Sequence, residues 1–219
     1  MTEQLQAPPL IIDLVHSGAC HLVVVRHGTT TMNVENRYRG RRDVPLDAQG
    51  YQDAVDAARQ LSHIGVKAVY CGPMRRTIAT AQIIADETRI PDLRILHGLN
   101  NVDYGVWEGM TSTEAAAYDP GAFALYKTSP SRAVCPMGER LRDAQTRMVA
   151  ALTFIGERHP GEIVVAVTHA VMIRLAVAAL ENAEGEQWRI PVGRGSLTHF
   201  RAFQGDLAIA ALPGGDDVD

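Results

Sequence analysis

Two segments, far apart in the chain, share one form. His21-Leu22-Val23-Val24-Val25-Arg26 runs straight into His27-Gly28, and Ile163-Val164-Val165-Ala166-Val167 runs into Thr168-His169. Apolar residues alternating with polar ones would describe a strand with one wet face. Unbroken β-branched runs describe strands covered on both faces, the condition of a central parallel sheet between helical layers. The predicted fold class is therefore α/β: one three-layer domain with a mostly parallel central sheet flanked by helices.

The rest of the chain fits that frame. Pro45-Leu46-Asp47 leads into a helix with Asp47 as N-cap, Tyr51, Val55, Ala58 and Leu61 on its buried face and Gly65 as its stop. Residues 67–72 form a second strand, and Pro73 opens a helix that buries Ile78, Ala81, Ile84 and Ala85 and places Arg75 and Arg76 at its start. Leu93 to Leu99 reads as a third strand, and Glu114 to Tyr126 as a helix interrupted at Pro120-Gly121. Gly138 to Glu157 is a long helix with Leu141, Met148, Ala151, Leu152 and Ile155 inward, and a further helix follows from about 169 to 181. The runs Ser196–Phe203 and Asp206–Leu212, joined through Gln204-Gly205, make a terminal hairpin. Residues 1–20 are expected to be an extension docking on the domain or on a partner, 21–211 the domain, and 212–219 a disordered acidic tail.

Composition narrows the function. A net charge of −4 with both signs dispersed gives no basis for nucleic-acid or membrane-surface binding. Three cysteines without a CxxC spacing suggest neither a disulfide framework nor a cysteine zinc site, and no basic leader or long apolar segment marks export or membrane insertion. A cytoplasmic protein is the expectation, and the apolar piece near the N-terminus would suit a homodimer.

Chemistry is expected at the strand ends. In open α/β sheets, ligands gather beyond the carboxyl ends of the strands, so Arg26-His27 and Thr168-His169 would face one crevice. Helix starts add unpaired N–H groups and partial positive charge, so Arg76 and His169 would help to build an anion site, with phosphate its natural occupant. Arg supplies planar paired donors, and an imidazole can either donate to a phosphoryl oxygen or attack phosphorus. His16, His63, His97, His159 and His199 are read as structural, and Arg39, Arg41 and Arg42, from charge alone, as a solvated loop face. No HxH, HExxH or paired-carboxylate spacing accompanies the histidines, so no metal and no cofactor is expected.

From about residue 21 to 202 the chain resembles the histidine phosphatase superfamily, the phosphoglycerate-mutase-like proteins of its branch 1. "RHGTTTMN" resembles the opening motif, "RYRGRRDVPLDAQG" the loop and helix start after it, and "VYCGPMRRTIATA" the segment that puts the family arginine at Arg76. "GLNNVDYGVWEGMT" resembles the segment that normally carries the general acid, "MGER" the entry to the long helix, and "VTHAVMIR" the second-histidine motif. The resemblance implies a phosphoglycerate-mutase-like fold and a metal-independent phosphoric monoester hydrolase acting on a small phosphorylated or polyanionic metabolite. His27 would be the nucleophile, and Arg26, Arg76 and His169 would hold the phosphoryl oxygens. Gly28 would let the backbone approach the phosphate, and Thr30, Asn33, Arg39, Asn101 and Ala170 would complete the substrate site.

Two departures from the pattern matter. The family glutamate that protonates the leaving oxygen aligns with Asn101, and an amide has no proton to give; general acid catalysis is typically worth ~10²–10⁴-fold. Either a neighbour such as Asp103 or Glu108 takes over, or the leaving group needs no proton, or the scaffold has been repurposed for an anionic substrate without ordinary phosphatase activity. Arg39 stands where the family often has Gln, and with Arg41 and Arg42 it favours a substrate with a second anionic group. A phosphomutase is disfavoured by the lack of a long insertion after the acid segment. Apolar side chains between Thr111 and Met137 are expected to set specificity.

Overall fold

Strand β1 (Cys20–Arg26) is buried at every position. Its Leu22 and Val24 join one apolar cluster while Val23 and Val25 join a second, so the pleat sends successive side chains to opposite covered faces. Strand β4 (Ile163–Thr168) does the same, with Val164 and Ala166 on the first face and Val165 and Val167 on the second. The two strands pair in parallel, Val23 opposite Val165 and Arg26 opposite Thr168.

The computed structural model describes residues 18–183 and 185–213, so the expected extension over 1–20 and acidic tail over 212–219 lie mostly outside the described residues. With β2 (Val66–Cys71), β3 (Leu93–Ile95), β5 (Leu197–Phe203) and β6 (Asp206–Ala211), the sheet has six strands in the order β3-β2-β4-β1-β5-β6. The first four are parallel, and β5 and β6 are the antiparallel hairpin added at one edge. Helices α2 (Ala48–Leu61) and α3 (Arg75–Thr88) cover one face, and α6 (Leu141–Arg158) and α7 (Ala170–Glu181) the other. Among the described residues no helix is long and apolar enough to cross a membrane.

Local differences from expectation have physical reasons. In α2 the cap is Asp47, which accepts from the Gly50 N–H at 2.8 Å, but the buried stripe is Gly50, Ala54, Ala57, Ala58 and Leu61; Tyr51 is 52% exposed. Small residues let α2 lie close on the sheet, and the bulky tyrosine is turned out. Helix α3 starts at Arg75, so Pro73 precedes it rather than forming its first turn. The third strand stops at Ile95 and the chain goes on as a 3-10 turn over His97–Leu99. The interrupted helix is two: α4 (Ser112–Tyr118) and α5 (Pro120–Thr128), the second capped by Asp119. The long helix begins only at Leu141.

Candidate active site

The parallel register brings the two histidines together. Arg26 pairs with Thr168, the His27 N–H donates to the Thr168 carbonyl at 3.0 Å, and the His27 and His169 ring centroids lie 5.1 Å apart, edge to face. His169 is the N-cap of α7, and Arg76, the second residue of α3, reaches the same place from the start of the neighbouring helix. All four groups, Arg26, His27, Arg76 and His169, are buried. An arginine pair and a histidine pair in one dry pocket is a costly arrangement unless an anion completes it.

Hydrogen bonding settles which His27 nitrogen is available. Nδ1 lies 2.6 Å from the carbonyl oxygen of Gly28. A carbonyl can only accept, so Nδ1 carries the proton and Nε2 keeps its lone pair. That Nε2 is buried without a partner, as are both ring nitrogens of His169, Nε of Arg76 and Nδ2 of Asn33. Burial first, and then Arg76, Arg39 and Arg26, hold the His27 pKa well below the usual histidine value. Burial likewise lowers His169, with Arg76 and His27 next in weight. Burial and the nearby Arg39 push Arg76 down to about 9. Burial is the largest cause of each shift, and neighbouring positive charge adds to it.

The loop after β1 is tied to α2. Thr29 donates from its N–H (2.9 Å) and its hydroxyl (2.5 Å) to Asp53, and Thr30 donates from both groups to Oδ1 of Asn33 at 3.0 Å. Asn33, on the short helix α1 (Thr31–Val34), is thereby oriented with its amide nitrogen left over. Glycine at 28 is required by packing: a Cβ there would sit 2.2 Å from the carbonyl oxygen of Gly50, and one on Gly50 would sit 2.0 Å from that of Thr29, so the loop lies directly against the first turn of α2.

Asn101 is buried, and both ends of its amide are hydrogen-bonded. Its Nδ2 donates to the Gly40 carbonyl at 3.0 Å and its Oδ1 accepts from the Val102 N–H at 3.0 Å. The same Gly40 carbonyl accepts from Nη2 of Arg76 at 2.8 Å, while Nη1 of Arg76 donates to the carbonyl of Arg42 at 2.8 Å. Behind Asn101 lies a residue that sequence reasoning missed. Arg147 of α6 donates to the carbonyls of Gly98, Asn100 and Asn101 at 2.6–3.0 Å and forms a two-pronged pair with Glu139, 2.8 and 3.0 Å. Nothing in the periodicity of α6 marks Arg147; the only signal is the Gly138-Glu139 motif that supplies its partner.

A cleft of about 320 Å³ leads to the site, with Arg39, Asn101, His169 and Ala170 lining its inner part. Its walls carry Arg37, Arg39, Lys127, Arg174 and Arg189; among the described lining residues there is no aspartate or glutamate, although Arg37 pairs with Glu35 and Glu114 outside the lining. Of the three loop arginines only Arg39 faces the cleft; Arg41 instead pairs with Asp103 (3.3 Å) and Glu139 (3.6 Å). The additional cations come from α5, α7 and the chain just beyond a 3-10 turn over Gly185–Trp188. The lining between residues 111 and 137 is Thr111, Ser112, Thr113, Tyr126 and Lys127, which is polar and cationic rather than the apolar specificity wall expected.

Comparison with known proteins agrees with this geometry. The family model of the histidine phosphatase superfamily (branch 1) matches residues 22–212. A phosphoglycerate mutase-like protein 4 of Arabidopsis thaliana is 32% identical over 188 residues, 84% of this chain and 80% of that protein. Phosphoserine phosphatase 1 of Hydrogenobacter thermophilus is 31% identical over 162 residues, 73% of this chain and 75% of that one. Among solved structures, Bacillus stearothermophilus YhfR superposes with a TM-score of 0.80 at 31% identity, covering 91% of this chain and 98% of the other.

Proposed function

Since the chain belongs to the histidine phosphatase superfamily, branch 1, we propose that it is a metal-independent phosphohydrolase of a small phosphorylated metabolite, working through a phosphohistidine at His27. One observation carries the reading: a buried imidazole whose Nδ1 proton is held by the Gly28 carbonyl presents a partnerless Nε2 beside His169, Arg26 and Arg76. Nε2 attacks phosphorus as the P–O bond to the leaving group breaks and its electron pair departs on the leaving oxygen, while the guanidinium groups neutralise the equatorial oxygens. Water then displaces the imidazole from phosphorus. The phosphoserine phosphatase relative supports a phosphate-ester or related substrate, and the cationic cleft supports a substrate with further negative charge. The buried free thiols of Cys20, Cys71 and Cys135 suit the cytoplasm, where we place the protein.

Brief reaction with radiolabelled p-nitrophenyl phosphate, followed by quenching, is the test. An acid-labile, alkali-stable phosphoenzyme is expected in the native protein. His27→Ala removes it, with a loss of turnover on the order of 10⁴-fold or more. Tight phosphate or vanadate binding with no turnover on a broad panel of phosphates would instead make this a repurposed, non-hydrolytic member of the family.

A further inference from the structure

We propose that Asn101 is a positioning residue: by donating to the Gly40 carbonyl beside Nη2 of Arg76, its amide fixes the plane of that guanidinium and so aims Arg76 at the phosphoryl group. This rests on the phosphohistidine reading above, in which the leaving group departs into the cleft that Asn101 lines, and gives Asn101 a role in it.

The first support is how completely Asn101 is held. Its N–H donates to Oδ1 of Asn100 at 2.8 Å, its carbonyl accepts from Nη2 of Arg147 at 2.7 Å, its Oδ1 accepts from the Val102 N–H at 3.0 Å, and its Nδ2 donates to the Gly40 carbonyl at 3.0 Å. The last two partners ask opposite things of one short side chain. A backbone N–H only donates and a carbonyl only accepts, so the group between them needs one acceptor and one donor, which an amide has and an ionised carboxylate lacks. A carboxylate of the same length would set oxygen against oxygen at Gly40. The amide is matched to its place by what it donates, whatever proton the leaving group needs.

The second support is what shares that carbonyl. Gly40 also accepts from Nη2 of Arg76 at 2.8 Å, and the Arg42 carbonyl accepts from Nη1 at 2.8 Å. The guanidinium is planar, so the two carbonyls fix its plane and with it the direction of Nε, the nitrogen that is buried without a partner. Gly40 turns at φ +54°, so close to Glu108 that a Cβ would lie 2.0 Å from its Oε1, and the same oxygen accepts from the Arg41 N–H at 2.7 Å. The loop is thus pinned by Glu108 at Arg41 and by Asn101 and Arg76 at Gly40. Of these, Asn101 is the one that ties it to α6, through Arg147. A displaced Gly40 carbonyl turns Arg76, and misplacing a group by about 1 Å can cost on the order of 10²-fold in rate.

The experiment is a double-mutant cycle on Asn101→Asp and Arg76→Met. It reads kcat and KM for p-nitrophenyl phosphate, and calorimetric affinities for inorganic phosphate and for vanadate, whose five-coordinate form resembles the transition state. p-Nitrophenolate needs no proton as it leaves, so a change at 101 cannot act there through proton supply. Asn101→Asp keeps an acceptor for the Val102 N–H and deletes the donor to Gly40. It should lower kcat ~10-fold with KM within ~3-fold of native, and weaken vanadate ~10-fold but phosphate only ~3-fold or less. The phosphoenzyme still forms in the variant; its rate is what changes. In the Arg76→Met background the same substitution should change kcat and vanadate affinity by less than ~2-fold. Asn101→Leu, which adds no charge, should repeat the loss, and it stands in for an aspartate variant that does not fold. A native-like kcat and vanadate affinity in either folded variant, or a loss undiminished beside Arg76→Met, overturns the positioning role. Failure to trap a His27 phosphoenzyme in the native protein overturns the phosphohistidine reading, while the vanadate cycle, which needs no turnover, still decides the role of Asn101.

Discussion

The two ends of the cleft are made differently. At the phosphoryl end, His27 follows β1, His169 caps α7 after β4, and Arg76 sits in the first turn of α3, so each group is fixed by a sheet or helix terminus. At the end that the proposal assigns to the leaving group, Asn101 and its neighbours lie on irregular chain between a 3-10 turn and the next, held from behind by Arg147. The first end inherits its geometry from the fold itself. The second is a loop clamped by one side chain, and it carries Asn101, the position at which the proposed reading has an amide in place of the family glutamate.

The largest effect that separates the two ends is expected at Arg76. Arg76→Met removes the buried guanidinium beside both histidines, and kcat should fall ~10²–10³-fold, the loss seen when one fixed donor to a developing anion is deleted. A loss confined to KM would mean that the guanidinium binds substrate and transition state equally, and the phosphoryl end would then be no more specialised than the outer wall. Because Arg76 also bonds the Gly40 and Arg42 carbonyls, a melting curve should accompany the kinetics.

The clamp at the other end gives the next effect. Arg147→Met leaves Glu139 with only the Asp103 N–H at 3.2 Å and the longer Arg41 contact at 3.6 Å, and strips donors from the Gly98, Asn100 and Asn101 carbonyls. The expected cost is about 2–4 kcal/mol of stability, read as a Tm lower by roughly 5–15 °C. The phosphoryl end should survive: below the melting range the variant should still form the His27 phosphoenzyme from p-nitrophenyl phosphate. Loss of that intermediate in a folded variant would show that the ends are not separable.

The same contrast decides how much the sequence discloses. His27 and His169 are legible because each is adjacent in the chain to the apolar run that positions it, and the parallel pairing of those runs follows from their being apolar throughout. Asn101 is legible only by its place in a motif. The Arg147 clamp is not legible, since its partners on the 98–101 segment stand 46 to 49 residues away and no period in α6 distinguishes it from an exposed arginine. Nor are Arg174 and Arg189, because whether an arginine on a helix or loop faces a cleft depends on how α7 packs. Arg41 errs the other way: it sits beside Arg39 in sequence, yet turns to Asp103 and Glu139.

The last effect concerns pH, and it follows mainly from the phosphoryl end. His27 and His169 are held neutral by burial and by Arg76, with Arg39 near both, Arg26 near His27 and Arg147 near His169. In the unfolded chain each takes up a proton near the ordinary histidine pKa of about 6.5, whereas the folded protein refuses it until well below that value. Across that window the unfolded state binds more protons, so stability falls as pH falls, by up to roughly 1.4 kcal/mol per pH unit for each histidine. His199, which burial and then His21 push down to about 4, adds a slope of the same sign from β5, opposite Val23 in the middle of β1. Urea unfolding at about pH 7 and about pH 5.5 should therefore show a loss that shrinks in the His27→Gln/His169→Gln variant, leaving the His199 share. Saturating phosphate should shrink it too in the native protein, because a bound anion offsets the arginines and lets the folded histidines accept protons. If phosphate reduces the slope equally in the variant, the anion is not seated between these two imidazoles, and the distinction between a phosphoryl end and an outer cationic wall no longer holds.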